Sequence, residues 1–268
     1  MNMGISRRIT AYIGSMWEYR YFWYSLVKAD LQRRYRRSFL GLGWSLLTPI
    51  MMTLVLSSVY SNILNMPFEK YGPFLMTGFA FWGFVSGAML QGCSCFSSAE
   101  AYIRQEPAPI AIYPLRTVLS VGFHSLIAMA LAIGLAACFD GVRSFPAMLS
   151  LIPTFLILIV MVWCLTTLLG LFSVYFPDVV YLAEVGLQML FFLTPIIYPA
   201  DVLQGRGFAE VLLYNPFAIM VDMIRTPILN SEVPLLATYL WMFSFVVFLI
   251  GATSLALAKM ERKLVFEL

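Results

Sequence analysis

The sequence predicts an all-α membrane protein with six transmembrane helices. N and C termini are expected in the cytoplasm, with an N-terminal amphipathic interface helix and a re-entrant outer helical hairpin between helices five and six. Three observations carry this. First, 61% of the 268 residues are hydrophobic and only 12% charged, with a mean hydropathy of +0.84; soluble domains carry about 25% charge. Second, the apolar residues form long unbroken runs. A chain in hydrocarbon must satisfy its backbone within helices or a closed barrel, and barrel strands alternate over about ten residues. Third, Lys and Arg are unevenly distributed along the chain.

The runs long enough to span about 30 Å, which takes roughly 20 residues, lie at about 40–64, 74–97, 117–139, 147–175, 180–198 and 234–258. Residues 1–39 hold eight Lys or Arg, the loop after the second span Arg104 and Arg116, and the tail Lys259, Arg262 and Lys263. On an even count these share one side, and Lys70, Arg143, Arg206 and Arg225 lie on the other. Positive loops stay inside, so both ends are cytoplasmic. The opening MNMGISRRITAYIG lacks a short apolar core before a small-residue cleavage site, so the first span is expected to insert as a retained anchor.

Three regions lie outside the spans. Residues 1–39 are an interface segment: Trp17, Tyr19, Tyr21, Phe22, Trp23 and Tyr24 precede the run Arg33-Arg34-Tyr35-Arg36-Arg37. Rings prefer the headgroup zone and arginines reach water from it, so a helix should lie on the inner leaflet. Residues 98–106 form a short helix, with Ser97 or Ser98 able to cap it and Pro107 and Pro109 ending it. Residues 199–233 are too apolar for a disordered loop. Residues 208–214 and 216–225 there read as two short helices broken at Asn215-Pro216, with Phe217, Met220, Val221 and Ile224 at helical spacing.

Several chemistries are missing. No G-x-x-x-x-G-K-[ST] phosphate loop occurs, so this chain holds no ATP site of that kind. Gly41-Leu42-Gly43 reads as helix packing. The single histidine, His124, cannot build a His cluster, and Cys93-Ser-Cys95 lacks metal or redox spacing. Of the Asp, Glu, Lys and Arg residues, only Glu184 falls inside a span, about one turn into the cytoplasmic end of the fifth, where it can reach the interface; this argues against ion-coupled transport. Asp178 and Glu184 do not share a helical face as paired acids would. The 22 Phe, 14 Tyr and 6 Trp can stack on sugar rings or simply fill cores and interfacial belts.

The stretch Lys28–Pro49, KADLQRRYRRSFLGLGWSLLTP, resembles the permease subunits of ABC exporters for O-antigen, capsule and teichoic acid, whose basic passage reads R-Y-x-x-S-x-L-G-x-x-W-x-x-x-x-P. Arg34-Tyr35, Ser38, Leu40-Gly41, Trp44 and Pro49 match it. Leu193-Thr194-Pro195-Ile196-Ile197-Tyr198 is similar to the passage ending the fifth helix, and Asn215-Pro216 with Arg225 to the outer segment. One departure is Phe176-Pro177-Asp178, where that family often has Arg-Asp.

The resemblance implies a multi-pass protein of the bacterial inner membrane, with residues 40–268 as the six-helix exporter domain. It implies pairing with a second copy and with a cytosolic ATPase subunit that carries the ATP and Mg. Glu100, Tyr102, Arg104 and Gln105 would form the coupling helix. The cargo would be a polysaccharide on undecaprenyl pyrophosphate. Arg33, Arg34, Arg36 and Arg37 at the cytoplasmic mouth would meet the pyrophosphate or anchor to membrane lipid. Tyr198, Tyr214 and Phe217 would form the outer gate, and Asp178 the inner gate loop. Nucleic acid is not an expected partner. The residues alone leave open an ABC permease for a drug or lipid, or a membrane enzyme or scaffold without a transport role.

Overall fold

A computed structural model describes residues 12, 14–35, 43–64, 66–105, 108–139, 144–200 and 214–267. In chain order the helices are α1 Arg20–Tyr35, α2 Gly43–Leu64, α3 Phe68–Cys93, α4 Glu100–Gln105, α5 Ile112–Phe139, α6 Phe145–Tyr175, α7 Val179–Leu193, α8 Pro216–Arg225 and α9 Leu236–Glu267. Four are long and apolar enough to cross a bilayer: α3, α5, α6 and the Leu236–Glu261 part of α9. Helices α2 and α7 add shorter apolar stretches, Leu46–Ser61 and Val179–Leu193. The chain is thus an all-α multi-spanning membrane protein.

Proline chemistry accounts for where several helices start and stop. Helix α3 begins at Phe68 rather than near 74, because Pro67 is extended at its N-cap (φ −65°, ψ 154°) and the next residues coil at once. Helix α5 starts at Ile112 rather than 117; Pro114 sits in its first turn, where a missing N–H breaks no intrahelical bond. Helix α7 stops at Leu193, five residues short of the expected end. Thr194 precedes Pro195 and is extended (φ −103°, ψ 133°), since proline pushes the residue before it out of the helical region. Helix α9 runs on to Glu267, past the expected 258, with Leu264 fully buried. A 3₁₀ turn, Ser97–Ala99, precedes α4. Ser97 does not cap α4; its hydroxyl donates back to the Ser94 carbonyl at 3.2 Å.

Helix α3 is the axis of the bundle: 67% of its apolar window is buried, against 22% for α9. An outward apolar face is stable in lipid, so α9 needs no protein cover there. Helices α3 and α6 cross with their backbones in contact. A Cβ on Gly170 would lie 2.8 Å from the Gly92 carbonyl oxygen, and one on Gly92 would lie 2.3 Å from Thr166 Cγ2. Small residues at such crossings permit close van der Waals approach where no hydrophobic force drives association.

The main core runs along α3, α5, α6 and α8. A second core at one end gathers Met16, Leu26, Phe96, Tyr113, Leu171 and Leu264. It draws together the N-terminal segment, the α3–α5 connection and the ends of α6 and α9. The three Lys/Arg-rich regions of the sequence therefore meet at one end of the bundle, here called the basic end.

Candidate functional site

Helix α4 projects from the basic end. Glu100 and Arg104 pair across one helical turn at 2.9 Å with both side chains about half exposed (44% and 57%). Gln105 is also exposed, while Tyr102 is half-buried with its ring edge-on to Phe22 of α1, centroids 6.2 Å apart. Beneath α4, Ala99 and Phe96 are buried. So the structure brings Glu100, Arg104 and Gln105 together on an outer surface and turns Tyr102 toward the interface helix.

The segment after α4 is fastened by side chains from three distant parts of the chain. Tyr12 Oη donates to Glu261 Oε1 at 3.1 Å and accepts from the Ala111 N–H at 3.3 Å. The Ile110 N–H reaches the same carboxylate oxygen at 3.5 Å, and Trp163 Nε1 donates to the Ala111 carbonyl at 3.1 Å. Burial, then the Glu261 charge, pushes the Tyr12 phenol up from its ordinary pKa, so it stays a donor. Arg116 and Asp30 form a two-pronged ion pair, Nε to Oδ2 at 2.5 Å with Nη2 on Oδ1, tying α5 to α1 in a largely covered position. Such bidentate pairs fix geometry as well as adding energy.

Arg33 is exposed on α1. Arg34 lies in α1, but its side chain, and all of Arg36 and Arg37, fall outside the described residues. Asp178 is exposed at the start of α7 and makes no side-chain cap. It belongs to the basic end, where Tyr175 Oη bonds to the Met260 carbonyl at 3.4 Å.

A polar cavity of about 330 Å³ opens at this end, lined by Asp30, Gln91, Ser94, Arg116, Ser120 and His124 among others. A second cleft of about 380 Å³ continues along α3 past Phe79, Trp82, Gly83 and Gly87. Gln91 and His124 line both. His124 is itself buried and edge-on to Phe123. Hydrogen-bonding groups thus give way to aromatic faces from the basic end inward.

At the opposite end α8 forms as expected from Pro216 to Arg225, with Asn215 as its N-cap accepting from the Phe217 N–H at 3.0 Å. The preceding stretch, expected as a helix over 208–214, lies outside the described residues except for Tyr214. The three expected gate residues have different surroundings. Phe217 is buried against Trp82 (centroids 6.1 Å, edge-on), Tyr214 is 75% exposed, and Tyr198 Oη donates to the Phe192 carbonyl at 2.6 Å.

Arg225, visible in the sequence only as a motif position, is the most heavily bonded side chain there. It donates to the carbonyls of Pro195, Ile196 and Phe74 at 2.5, 2.9 and 3.0 Å. Tyr12, Asp30 and Glu261 were also missed. Asp30 and Glu261 sit in charged stretches, where an acid reads as solvated, and their partners are 86 to 249 residues away.

This is a multi-spanning bundle with a surface helix clamped at one end and the buried helix α8 at the other, an organisation that suits a membrane permease. The ABC-2 type transporter family matches residues 21–229, and the chain belongs to that family, whose members are the non-catalytic membrane components of ABC transporters. It is 22% identical over 231 residues to an O-antigen export system permease protein RfbA of Klebsiella pneumoniae, covering 84% of this chain and 87% of that one. It is 23% identical over 228 residues to RfbA of Myxococcus xanthus (83% and 85%). It is also 22% identical over 236 residues to the polysialic acid transport protein KpsM of Escherichia coli (85% and 89%). The protein is thus a permease related to O-antigen and capsule exporters, a multi-pass protein of the bacterial inner membrane.

Proposed function

We propose that this chain moves a lipid-linked surface polysaccharide, O-antigen first among the candidates, out of the cytoplasm. In this reading it has six spans, α2, α3, α5, α6, α7 and α9, with both termini cytoplasmic. Residues 1–39 form the interface segment, 40–268 the exporter domain and 199–233 the outer hairpin. Two copies pair, and each docks a cytosolic ATPase.

The observation that carries the reading is α4: six residues with an exposed ion pair, held rigid by the buried second core and by the Tyr12–Glu261 and Asp30–Arg116 bonds. A surface helix anchored so firmly, at the end holding the basic segments, suits a contact that must transmit force. Pairing is supported by α7, which buries only Leu187 and leaves Glu184 exposed among Tyr181, Leu182, Val185 and Met189. Even near the interface a carboxylate among apolar side chains is costly; a second copy or a wet path would cover it. The two neighbouring cavities present hydrogen-bonding groups, with the Asp30–Arg116 pair at the basic end, and aromatic faces, which suit sugar rings. Arg33, Arg34, Arg36 and Arg37 would hold the anionic lipid carrier, Asp178 the inner gate loop, and Tyr198, Tyr214 and Phe217 the exit.

The test is ATP hydrolysis by the assembled complex with and without lipid-linked polymer. Glu100→Ala with Arg104→Ala should keep assembly and lower polymer-stimulated hydrolysis; full stimulation would remove α4 from the coupling role.

A further inference from the structure

The turn after α7 has four of its carbonyls engaged by side chains, and both ends of α8 help to do it. At the start of α8, Asn215 Nδ2 donates to the Leu193 carbonyl at 3.1 Å and to Thr194 Oγ1 at 3.3 Å. At its end, Arg225 donates to the Pro195 and Ile196 carbonyls. Tyr71 of α3 donates to the Ile197 carbonyl at 2.7 Å. Arg225 also reaches α3 directly, through the Phe74 carbonyl and Thr77 Oγ1 at 3.5 Å, and its guanidinium lies 3.5 Å from the Phe74 ring centroid.

All of this is dry. Arg225 is 6% exposed and Thr194, Ile196 and Tyr71 are fully enclosed. Among the described residues no carboxylate lies within ion-pair distance of Arg225; Asp222, one turn earlier on α8, acts on it only through space, and carbonyl oxygens and one aromatic face make its direct contacts. The fit is tight enough to require glycine beside it: a Cβ on Gly78 would lie 2.5 Å from Arg225 Nη2 and 3.1 Å from the Ile196 carbonyl oxygen.

We infer that Arg225 is a positioning residue that welds α8, the turn Leu193–Ile197 and the outer half of α3 into one rigid block. Lifting α8 away would strip the buried guanidinium of its carbonyl acceptors, and leaving a buried charged group without its hydrogen bonds is among the costlier changes a fold can make. Helix α8 is therefore no flap. The exit opens by separation of whole blocks, each carrying its own α8. This deepens the transport reading and rests on it for what the block gates. The chain leaves the block through a π-turn, Thr226–Asn230, and Ser231 in the left-handed region (φ 58°). Strained backbone of this kind persists where the surrounding structure enforces it.

Spin-label distances in the permease–ATPase complex test this, with exposed Cys138 replaced by serine and labels at Lys70→Cys and Ile219→Cys. The Lys70–Ile219 distance should be the same in nucleotide-free and ATP-bound complexes. Arg225→Met should broaden it and lower export by about tenfold or more, the scale of lost charged hydrogen bonds. Arg225→Lys should recover part of both. If Arg225→Met does not insert, Gly78→Ala displaces the same guanidinium without deleting it and should broaden the distance likewise. A Lys70–Ile219 distance that shifts with nucleotide would overturn the proposal, as would an Arg225→Met protein with wild-type distance and export. The nucleotide-free distance and its response to Arg225→Met need no cargo, so they report on the weld even where the transport reading fails.

Discussion

Replacing Gly170 by alanine should loosen the α3–α6 crossing and, through it, the base of α4. The new methyl would lie 2.8 Å from the Gly92 carbonyl oxygen, 2.9 Å from Cys95 Sγ and 3.0 Å from Phe96 Cε2. Ordinary contacts lie at about 3.5–4 Å, so the helices must part by about half an ångström or more. None of the three atoms is the free end of a flexible side chain. Overpacking of this sort costs about 1–3 kcal/mol. Gly134→Ala and Gly251→Ala are matched controls, since no atom lies within 4 Å of a Cβ at either position. Alanine there should be neutral or gain up to about 1 kcal/mol of helix propensity.

The assay is thermal unfolding of the purified permease in detergent, read by a thiol dye that reaches the buried Cys93, Cys95 and Cys164 as the fold opens. Cys138 is replaced by serine throughout. At about 2–4 °C per kcal/mol for a chain of this size, the Gly170→Ala midpoint should fall by several degrees and the control midpoints should hold. Because Cys95 and Phe96 lead directly into α4, polymer-stimulated ATP hydrolysis should fall with it. A Gly170→Ala protein as stable as Gly134→Ala would refute the crossing geometry.

Further outcomes follow from the same contacts. In the native protein a maleimide should modify one thiol per chain, exposed Cys138, and four after denaturation. Burial pushes the Cys95 thiol up, so raising the pH to about 9, past the ordinary cysteine value, should not make it reactive; rapid labelling of Cys95 there would contradict its enclosure. Tyr12→Phe removes the bonds to Glu261 and Ala111, and at about 1 kcal/mol per bond should speed hydrogen exchange at Ile110 and Ala111 without altering α8. Asp30→Asn breaks the ion pair to Arg116 in a largely covered site and should destabilise by about 1–3 kcal/mol. The double exchange Asp30→Arg with Arg116→Asp should recover part of that loss in a melting experiment, and no recovery would mean the pair is not a direct contact.

The class of protein and the main helices were legible because they depend on local composition. A helix in lipid satisfies its own backbone, so twenty apolar residues announce themselves without reference to anything distant. Asn215 and Pro216 likewise marked the start of α8, because a cap and an N1 proline act within three residues. The end of α7 was misplaced although the Thr194-Pro195 signal was present, since an apolar run past a proline still reads as a span. The Glu100–Arg104 pair was readable as neighbours on one turn. Phe217 illustrates the opposite case: its ring packs edge-on against Trp82 of the distant α3, a contact that no local pattern displays.

Charge asymmetry along the chain already implied that residues 1–39, the α3–α5 connection and the tail share one side of a membrane, because Lys and Arg are held back during insertion whatever the packing. By itself, then, the sequence determined a helical membrane protein without a phosphate loop, and the resemblance of its motifs pointed to an exporter permease. What only the tertiary structure decided is how those parts are fastened. The Tyr12–Glu261 bond spans 249 residues, and the Arg225 bond to the Phe74 carbonyl spans 151. A carbonyl acceptor has no side-chain identity to read, and an acid becomes a buried partner only when folding removes its water. Hydrogen bonds of this kind are written in backbone positions, which no residue pattern displays until the helices have packed.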